Sequence, residues 1–133
     1  MFDEELITWS VDGGGRFFYR HPHKFSVTNV CGYLRVLRND HWNCGYLFAL
    51  LEKQWRETTF DWQLKAHPSV IDRLYRIPLA PLDRQAQIST LVQKYKPWIN
   101  KIEASVGKLV NLRRGLTEDL LTGRVRVPVD EAG

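Results

Sequence analysis

Apolar side chains recur along the second half of the chain at alternating spacings of four and three residues. The pattern runs for 33 residues without a slip, and nine of its ten positions are apolar. These ten positions, called the seam below, are Ile88, Val92, Tyr95, Ile99, Ile102, Val106, Leu109, Arg113, Leu116 and Leu120. Such a heptad pattern is typical of a helix that packs along another helix. The sequence therefore predicts a C-terminal coiled-coil helix, roughly 50 Å long at about 1.5 Å per residue, whose partner helix belongs to this chain or to a second one.

Three residues mark special points of this predicted helix. Pro97 removes one helical hydrogen bond, so the helix either kinks there or ends near Tyr95 and restarts at Pro97. Arg113 is the charged seam position, and it either extends to solvent or sets the register with a partner. Gly123 follows a Leu-Leu-Thr run and is expected to cap the C-terminus. The predicted helix thus covers residues 82–123.

The preceding 81 residues show shorter patterns. Residues 5–11 and 16–20 have strand character and flank the glycine-rich turn 12–15, which predicts a β-hairpin. Further strands are predicted at residues 25–30, 33–37 and 124–129. Helices are predicted from Asn39 or Asn43 to about Trp55, and around residues 70–74. The expected fold is α+β, with a body of short strands and two helices in residues 1–81, the long helix, and a short strand and tail in residues 124–133.

Composition narrows the class of protein. The chain has 133 residues, 44% of them hydrophobic and 26% charged, which fits one domain plus at most an appendage. No apolar run approaches the ~20 residues of a membrane-spanning helix, and Met1 begins no secretory signal. Cys31 and Cys44 form no recognisable framework, so they are expected to be reduced thiols in a cytoplasmic protein. The net charge of +4 favours an anionic partner.

The basic residues are concentrated in one stretch of the body. Residues 13–39 contain no acidic side chain, and their cations are interleaved with aromatic residues. Basic strands and turns with polar tips are what phosphate contacts and base-edge recognition require. The predicted DNA contacts are Arg16, Arg20, Lys24, Thr28, Asn29, Arg35 and Arg38. The alternative is a solvated sheet face that binds nothing.

Other chemistry is poorly supported by the residues. The loop of residues 13–16 lacks the lysine and Ser/Thr of a phosphate-binding loop. The histidines and cysteines match no zinc spacing, and Cys31, the candidate nucleophile of a small hydrolase, has no positioned base. We therefore predict no catalytic residue, no metal and no cofactor.

Two motifs flank the long helix. Pro81, Leu82, Gln85 and Ile88 form a Pro-Leu-x-x-Gln-x-x-Ile helix start, and residues 120–126 read Leu-Leu-Thr-Gly-Arg-Val-Arg. Both motifs resemble the C-terminal end of a specificity subunit of type I restriction–modification systems. More weakly, residues 17–20, residues 24–29 and the helix around Tyr46 resemble the later half of that family's target recognition domain.

The resemblance implies a non-catalytic subunit that recognises double-stranded DNA. In the family, target recognition domains read DNA bases, while long helices act as spacers and dock the methyltransferase subunits. A separate restriction subunit supplies translocation and cleavage. On this basis residues 1–81 are expected to be a partial target recognition domain, and residues 82–123 the conserved-region helix.

The chain departs from the family pattern in two ways. Arg84 stands where the family usually has Glu. A full specificity subunit also has two recognition domains and two long helices, whereas this chain has one helix and part of one domain. It is therefore expected to be a half-subunit that dimerises, one piece of a split subunit, or a truncated remnant. The alternative function is a non-DNA-binding assembly or decoy protein that acts through the helix.

Overall fold

The computed structural model describes residues 1–58 and 65–126. Over these residues the fold is α+β, with three short strands followed by three helices, the last of them 40 residues long. This architecture confirms the predicted fold class. The elements are β1 (Leu6–Ser10), β2 (Phe17–Arg20), β3 (Cys31–Leu34), α1 (Cys44–Glu57), α2 (Pro68–Leu74) and α3 (Leu82–Leu121).

The strands form an antiparallel sheet in the order β2-β1-β3. The predicted hairpin joins β1 to β2, and its turn contains Gly14 and Gly15 at φ values of 74° and 70°. Only glycine adopts this left-handed region without steric cost, which explains the glycine run. In the central row of the sheet, Thr8 of β1 lies opposite Phe18 on one side and Tyr33 on the other.

Two strand predictions need correction. Residues 25–30 form no strand; Phe25 makes an isolated bridge with Phe2, and the Cys31 N–H closes a turn on the Thr28 carbonyl at 3.0 Å. The next strand begins at Cys31 rather than at residue 33, and it ends at Leu34. The alternating apolar residues at 25 and 27 suggested a strand, but alternation alone cannot supply a pairing edge.

The core lies between one face of the sheet and the helices of the body. Ile7, Trp9 and Phe17 belong to one buried cluster with Leu51 of α1 and Ile71 of α2. The Trp9 indole N–H donates to the Ala66 carbonyl at 2.7 Å. Gly32 lies directly against the Trp9 ring, where any Cβ would overlap it. The sheet therefore packs one face inward and leaves the other for contact with solvent or a ligand.

The first helix of the body begins at one of its two predicted positions, and the second begins two residues earlier than predicted. Asn43 caps α1, because its side-chain oxygen accepts from the Tyr46 N–H at 3.0 Å. This choice resolves the alternative between Asn39 and Asn43. The second helix begins with Pro68 at its first turn, where the missing N–H costs no helical hydrogen bond.

The long helix α3 is continuous from Leu82 to Leu121 and includes Pro97. The alternative with two separate helices is therefore wrong. Gly123, at a φ of 70°, ends the helix as predicted. Its N–H donates to the Leu120 carbonyl and the Arg124 N–H to the Asp119 carbonyl, the pair of hydrogen bonds that defines a Schellman cap.

This cap also explains why the predicted C-terminal strand does not begin at Arg124. The N–H groups of Arg124 and Val125 both donate to the Asp119 carbonyl and are not available to a sheet. Residues 124–126 form no strand. The remainder of the predicted strand and tail, residues 127–133, lies outside the described residues. Two further polar and aromatic residues of the body, Asp61 and Trp62, also lie outside them.

The chain divides into two compact units, Met1–Lys94 and a second that begins at Tyr95. The first contains the sheet, α1, α2 and the first turns of α3. The second consists of the rest of α3 and its cap. Within residues 1–58 and 65–126, no helix is long and apolar enough to cross a membrane.

Candidate nucleic-acid interface and partner-binding helix

The face of the sheet that points away from the core carries basic and aromatic side chains. Strand alternation places Thr8, Phe18, Arg20 and Tyr33 on this face. Together with Arg16, which lies beside Phe18 at the edge, these residues are called the outer sheet face below. Thr8 is only 2% exposed, whereas Phe18 and Tyr33 are 40% and 48% exposed. The centre of the face is therefore covered by its own side chains, and the rim is open to a partner.

Phe18 organises the two arginines that flank it along β2. The guanidinium carbons of Arg16 and Arg20 lie 5.7 Å and 5.5 Å from the centre of its ring. Both distances fall within the about 6 Å range of cation–π attraction. Arg16 also lies 5.8 Å from the Trp55 ring, and Arg20 Nε donates to Thr8 Oγ1 at 3.1 Å. The two cations are therefore held in place rather than left as free side chains.

The other two predicted arginine contacts are neutralised by carboxylates. Arg35 Nη2 lies 2.6 Å from Glu4 Oε1, and Arg38 Nη2 lies 3.7 Å from Asp40 Oδ2. Within the described part of the chain, no carboxylate lies within salt-bridge distance of Arg16 or Arg20. The basic stretch thus contains two kinds of arginine, those beside a carboxylate and those without one among the described residues.

The polar candidates lie in the segment between β2 and β3. Lys24, Thr28 and Asn29 are all exposed. Thr28 Oγ1 contacts Cys31 Sγ at 3.8 Å. Over residues 1–58 and 65–126, no hydrogen bond or ion pair connects these three side chains to the four arginines. They are accessible, but the structure does not gather them into one site with Arg16 and Arg20.

An aromatic cluster beside the outer sheet face was not predicted from the sequence. The Phe2 ring lies 4.9 Å from Tyr33 and 5.6 Å from Phe25, measured between ring centres, and Arg35 lies over it at 5.7 Å. Phe2 reaches this place through its bridge with Phe25. The role of Phe18 was also missed, although the alternation of residues 16, 18 and 20 along one strand face was a usable signal.

The seam of α3 is largely uncovered. Ile88 and Val92 are partly buried. From Tyr95 onward every apolar seam side chain is 47% to 65% exposed, and Arg113 is exposed as well. Trp98 and Leu112, which flank the seam, are also exposed. The heptad pattern therefore forms a contiguous apolar stripe that the described residues leave exposed, and its pairing with a partner helix stays a prediction.

Gln85 explains the glutamine of the helix-start motif. Its side chain is fully buried. Its Oε1 accepts from the Asn43 N–H at 2.8 Å, while its Nε2 donates to the carbonyls of His41 (2.8 Å) and Ala80 (2.7 Å). One amide thereby ties the start of α3 to the cap of α1 and to the preceding linker. The Tyr46 hydroxyl donates to the Pro78 carbonyl at 2.9 Å and holds the same linker.

Both cysteines of the chain are free thiols. Burial, with a smaller contribution from Glu5, raises the pKa of the Cys44 thiol to about 12, so this thiol is protonated at neutral pH. Cys31 is half-buried and free. Within residues 1–58 and 65–126, no three His, Cys, Asp or Glu side chains are grouped to hold a metal ion.

Comparison with curated proteins finds similarity to a protein named as a type I specificity subunit. The chain is 28% identical over 117 residues to a curated protein of Mycoplasma pneumoniae (strain ATCC 29342 / M129 / Subtype 1) named "Putative type I specificity subunit". The alignment covers 85% of this chain and 48% of the relative, so the chain spans about half the length of that relative. This match confirms the resemblance drawn from the motifs.

Two other comparisons give no match. No protein-family model matches the chain. No solved structure matches it either.

Proposed function

We propose that this protein is a DNA-recognition component of a type I restriction–modification system. It binds double-stranded DNA through the body and docks a methyltransferase subunit through α3, and the restriction subunit joins the same assembly. The chain itself is non-catalytic, needs no cofactor and acts in the cytoplasm. The observation that carries the proposal is the similarity over 85% of the chain to a protein named as a type I specificity subunit.

The outer sheet face supports the DNA-binding part of the proposal. Arg16 and Arg20 are exposed cations without a carboxylate partner in the described residues, and they lie beside exposed aromatic rings. DNA binding draws most of its affinity from cations that neutralise phosphates. Lys24, Thr28 and Asn29 are exposed in the neighbouring segment and complete the proposed contact surface.

The exposed seam supports the docking part of the proposal. Burying six or more large apolar side chains against a partner provides the driving force for stable helix pairing. The chain spans 48% of its relative, and the exposed seam gives a second copy or a separate second half a surface for helix pairing. We propose this pairing through α3 in addition to methyltransferase docking.

A titration of labelled duplex DNA tests the proposal. Fluorescence anisotropy of a mixed-sequence duplex is measured against the purified chain at low and moderate salt, with and without a methyltransferase subunit. The methyltransferase subunit alone gives the baseline. We expect saturable binding that weakens steeply as salt rises, because bound phosphates release counterions.

Absence of DNA binding would contradict the first part of the proposal. If the folded chain raises the anisotropy in neither arm above its baseline, the DNA-binding function is contradicted. Assembly through α3 would then be the remaining function of the chain.

A further inference from the structure

We propose that Arg16 and Arg20 on the outer sheet face are the side chains that contact the DNA phosphates, with Phe18 as their positioning residue, and that Arg35 and Arg38 are structural. This inference rests on the proposed DNA-binding function and makes it more specific. It divides the predicted contacts into two classes by what each guanidinium already binds.

Arg20 is already oriented without DNA. Its Nε is occupied by Thr8 Oγ1 of the central strand, and its guanidinium lies over the Phe18 ring. These contacts leave the two Nη groups of this exposed side chain, which have no acceptor among the described residues, as a fork of free N–H donors. A fork of this kind fits two phosphate oxygens at once. Because the side chain is ordered in advance, binding loses less rotamer entropy.

Arg16 is held by two rings. Its guanidinium carbon lies within the range of cation–π attraction of both the Phe18 ring and the Trp55 ring. The Trp55 ring is itself fixed, since its indole N–H donates to the Gly14 carbonyl of the hairpin turn at 2.8 Å. The hairpin turn and α1 thus place the Arg16 cation at the edge of the outer sheet face, where no carboxylate of the described residues pairs with it.

Arg35 and Arg38 are in the opposite situation. Each already binds a carboxylate, Glu4 and Asp40 respectively. A phosphate would have to compete with that carboxylate, or it would meet its negative charge at short range. Arg35 also packs over Phe2. These two side chains are therefore expected to hold the loop and terminal segment in place, with little gain in DNA affinity.

The test uses variants that separate charge from position. Arg16→Gln and Arg20→Gln each remove one cation from the outer sheet face. Lys53→Gln removes the same charge from the exposed surface of α1, which packs on the other side of the sheet. The double variant Glu4→Gln with Arg35→Gln removes an ion pair and leaves the net charge unchanged.

DNA affinity and its salt dependence are measured for each variant by anisotropy with the same duplex. We expect Arg16→Gln and Arg20→Gln each to weaken binding by about tenfold and to lower the salt slope by about 1. For Lys53→Gln and the double variant, we expect a DNA affinity within about twofold of that of the unchanged chain and the same salt slope.

Phe18→Leu tests the positioning role. Phe18 is 40% exposed, so the substitution keeps the body folded, and it leaves every charge in place. We expect affinity to fall by about threefold to tenfold, in line with the loss of cation–π contacts. The salt slope should be unchanged, because the number of phosphate contacts is the same. A structural role of Phe18 alone would move the unfolding temperature and leave the affinity unchanged.

The outcomes separate the inference from the function on which it rests. Equal losses in Arg16→Gln, Arg20→Gln and Lys53→Gln would overturn the inference while leaving DNA binding intact. Larger losses in the double variant than in Arg20→Gln would overturn it as well. Absence of DNA binding by the unchanged chain contradicts the proposed function itself.

Discussion

The two units of the chain differ in whether their apolar side chains are buried. In Met1–Lys94, side chains such as Leu6, Ile7 and Phe17 are buried by other parts of the same unit. In residues 95–126, no side chain is buried, although the apolar seam is the most regular pattern in the sequence. The first unit buries many of its apolar residues by folding, whereas the second leaves its apolar residues exposed over the described residues. The heptad period indicates how a helix packs, and it does not indicate whether the packing partner belongs to the same chain.

The contrast extends to polar groups. The buried amide of Gln85 satisfies three backbone groups inside the first unit. The hydroxyls of Ser105 and Thr117 in α3 donate to carbonyls four residues earlier, and among the described residues they bind nothing outside their own helix. Stability of the first unit is therefore a matter of tertiary contacts, while that of the second depends on helix propensity until a partner binds.

The largest expected effect comes from a charge on the seam. Ile102→Glu puts a carboxylate in the middle of the apolar stripe, where a partner helix would have to desolvate it. We expect loss of binding to the methyltransferase subunit, measured by co-purification, with no change in the near-ultraviolet circular dichroism of the body.

Asn111→Glu on the solvated face of α3 is the control for this experiment, and we expect it to co-purify at full stoichiometry. Retention of the Ile102→Glu variant at the same stoichiometry would show that the seam is not the docking surface.

The next effect concerns the polar junction of the first unit. Gln85→Leu removes the partner of three part-buried backbone groups, the Asn43 N–H and the carbonyls of His41 and Ala80. We expect a loss of about 3 kcal/mol in the free energy of unfolding and a thermal midpoint lower by roughly 10 °C or more. Gln87→Leu, at an exposed position two residues later, should change the midpoint little. Equal midpoints in the two variants would contradict the assigned role of Gln85.

The smallest effects come from glycines, and they should have opposite signs in the two units. A Cβ at Gly45 would overlap Ser89 Oγ, whereas one at Gly107 meets nothing within 4 Å. Gly45→Ala is therefore expected to lower the free energy of unfolding by about 1–3 kcal/mol. Gly107→Ala should stabilise the helix by about 0.5–1 kcal/mol.

Thermal denaturation and far-ultraviolet circular dichroism measure both changes. Ser89→Ala in the Gly45→Ala background serves as the control and should recover part of the loss, because it removes the overlapping atom. Destabilisation by Gly107→Ala would show that α3 is already packed at that position.

Much of the fold could be predicted because its signals are local. The glycines at the hairpin turn, Asn43 at the start of α1 and Gly123 after α3 each act within a few residues of their own position. The prediction of a strand at residues 25–30 was wrong because a strand also needs a free edge to pair with. Phe25 makes only an isolated bridge with Phe2 in the described residues. Pairing between distant residues is not visible in a local pattern.

The candidate site was predictable only as a set of residue types. The sequence placed all seven DNA contacts in one class, because it could not show that Glu4, 31 positions before Arg35, would lie 2.6 Å from it. Asp40 lies two positions after Arg38, and this pairing was a signal within reach. The motif glutamine at position 85 was recognised from the family pattern, but its three hydrogen bonds required the fold.

The proposed function requires that one chain connects DNA to a methyltransferase subunit. Sedimentation velocity of a labelled duplex with that subunit, with and without the chain, tests this connection. We expect the DNA label to sediment with the methyltransferase subunit only when the chain is present. We also expect Ile102→Glu to leave the label on the small chain–DNA complex. A label that never sediments with the methyltransferase subunit, or does so equally with Ile102→Glu, would overturn the proposed function.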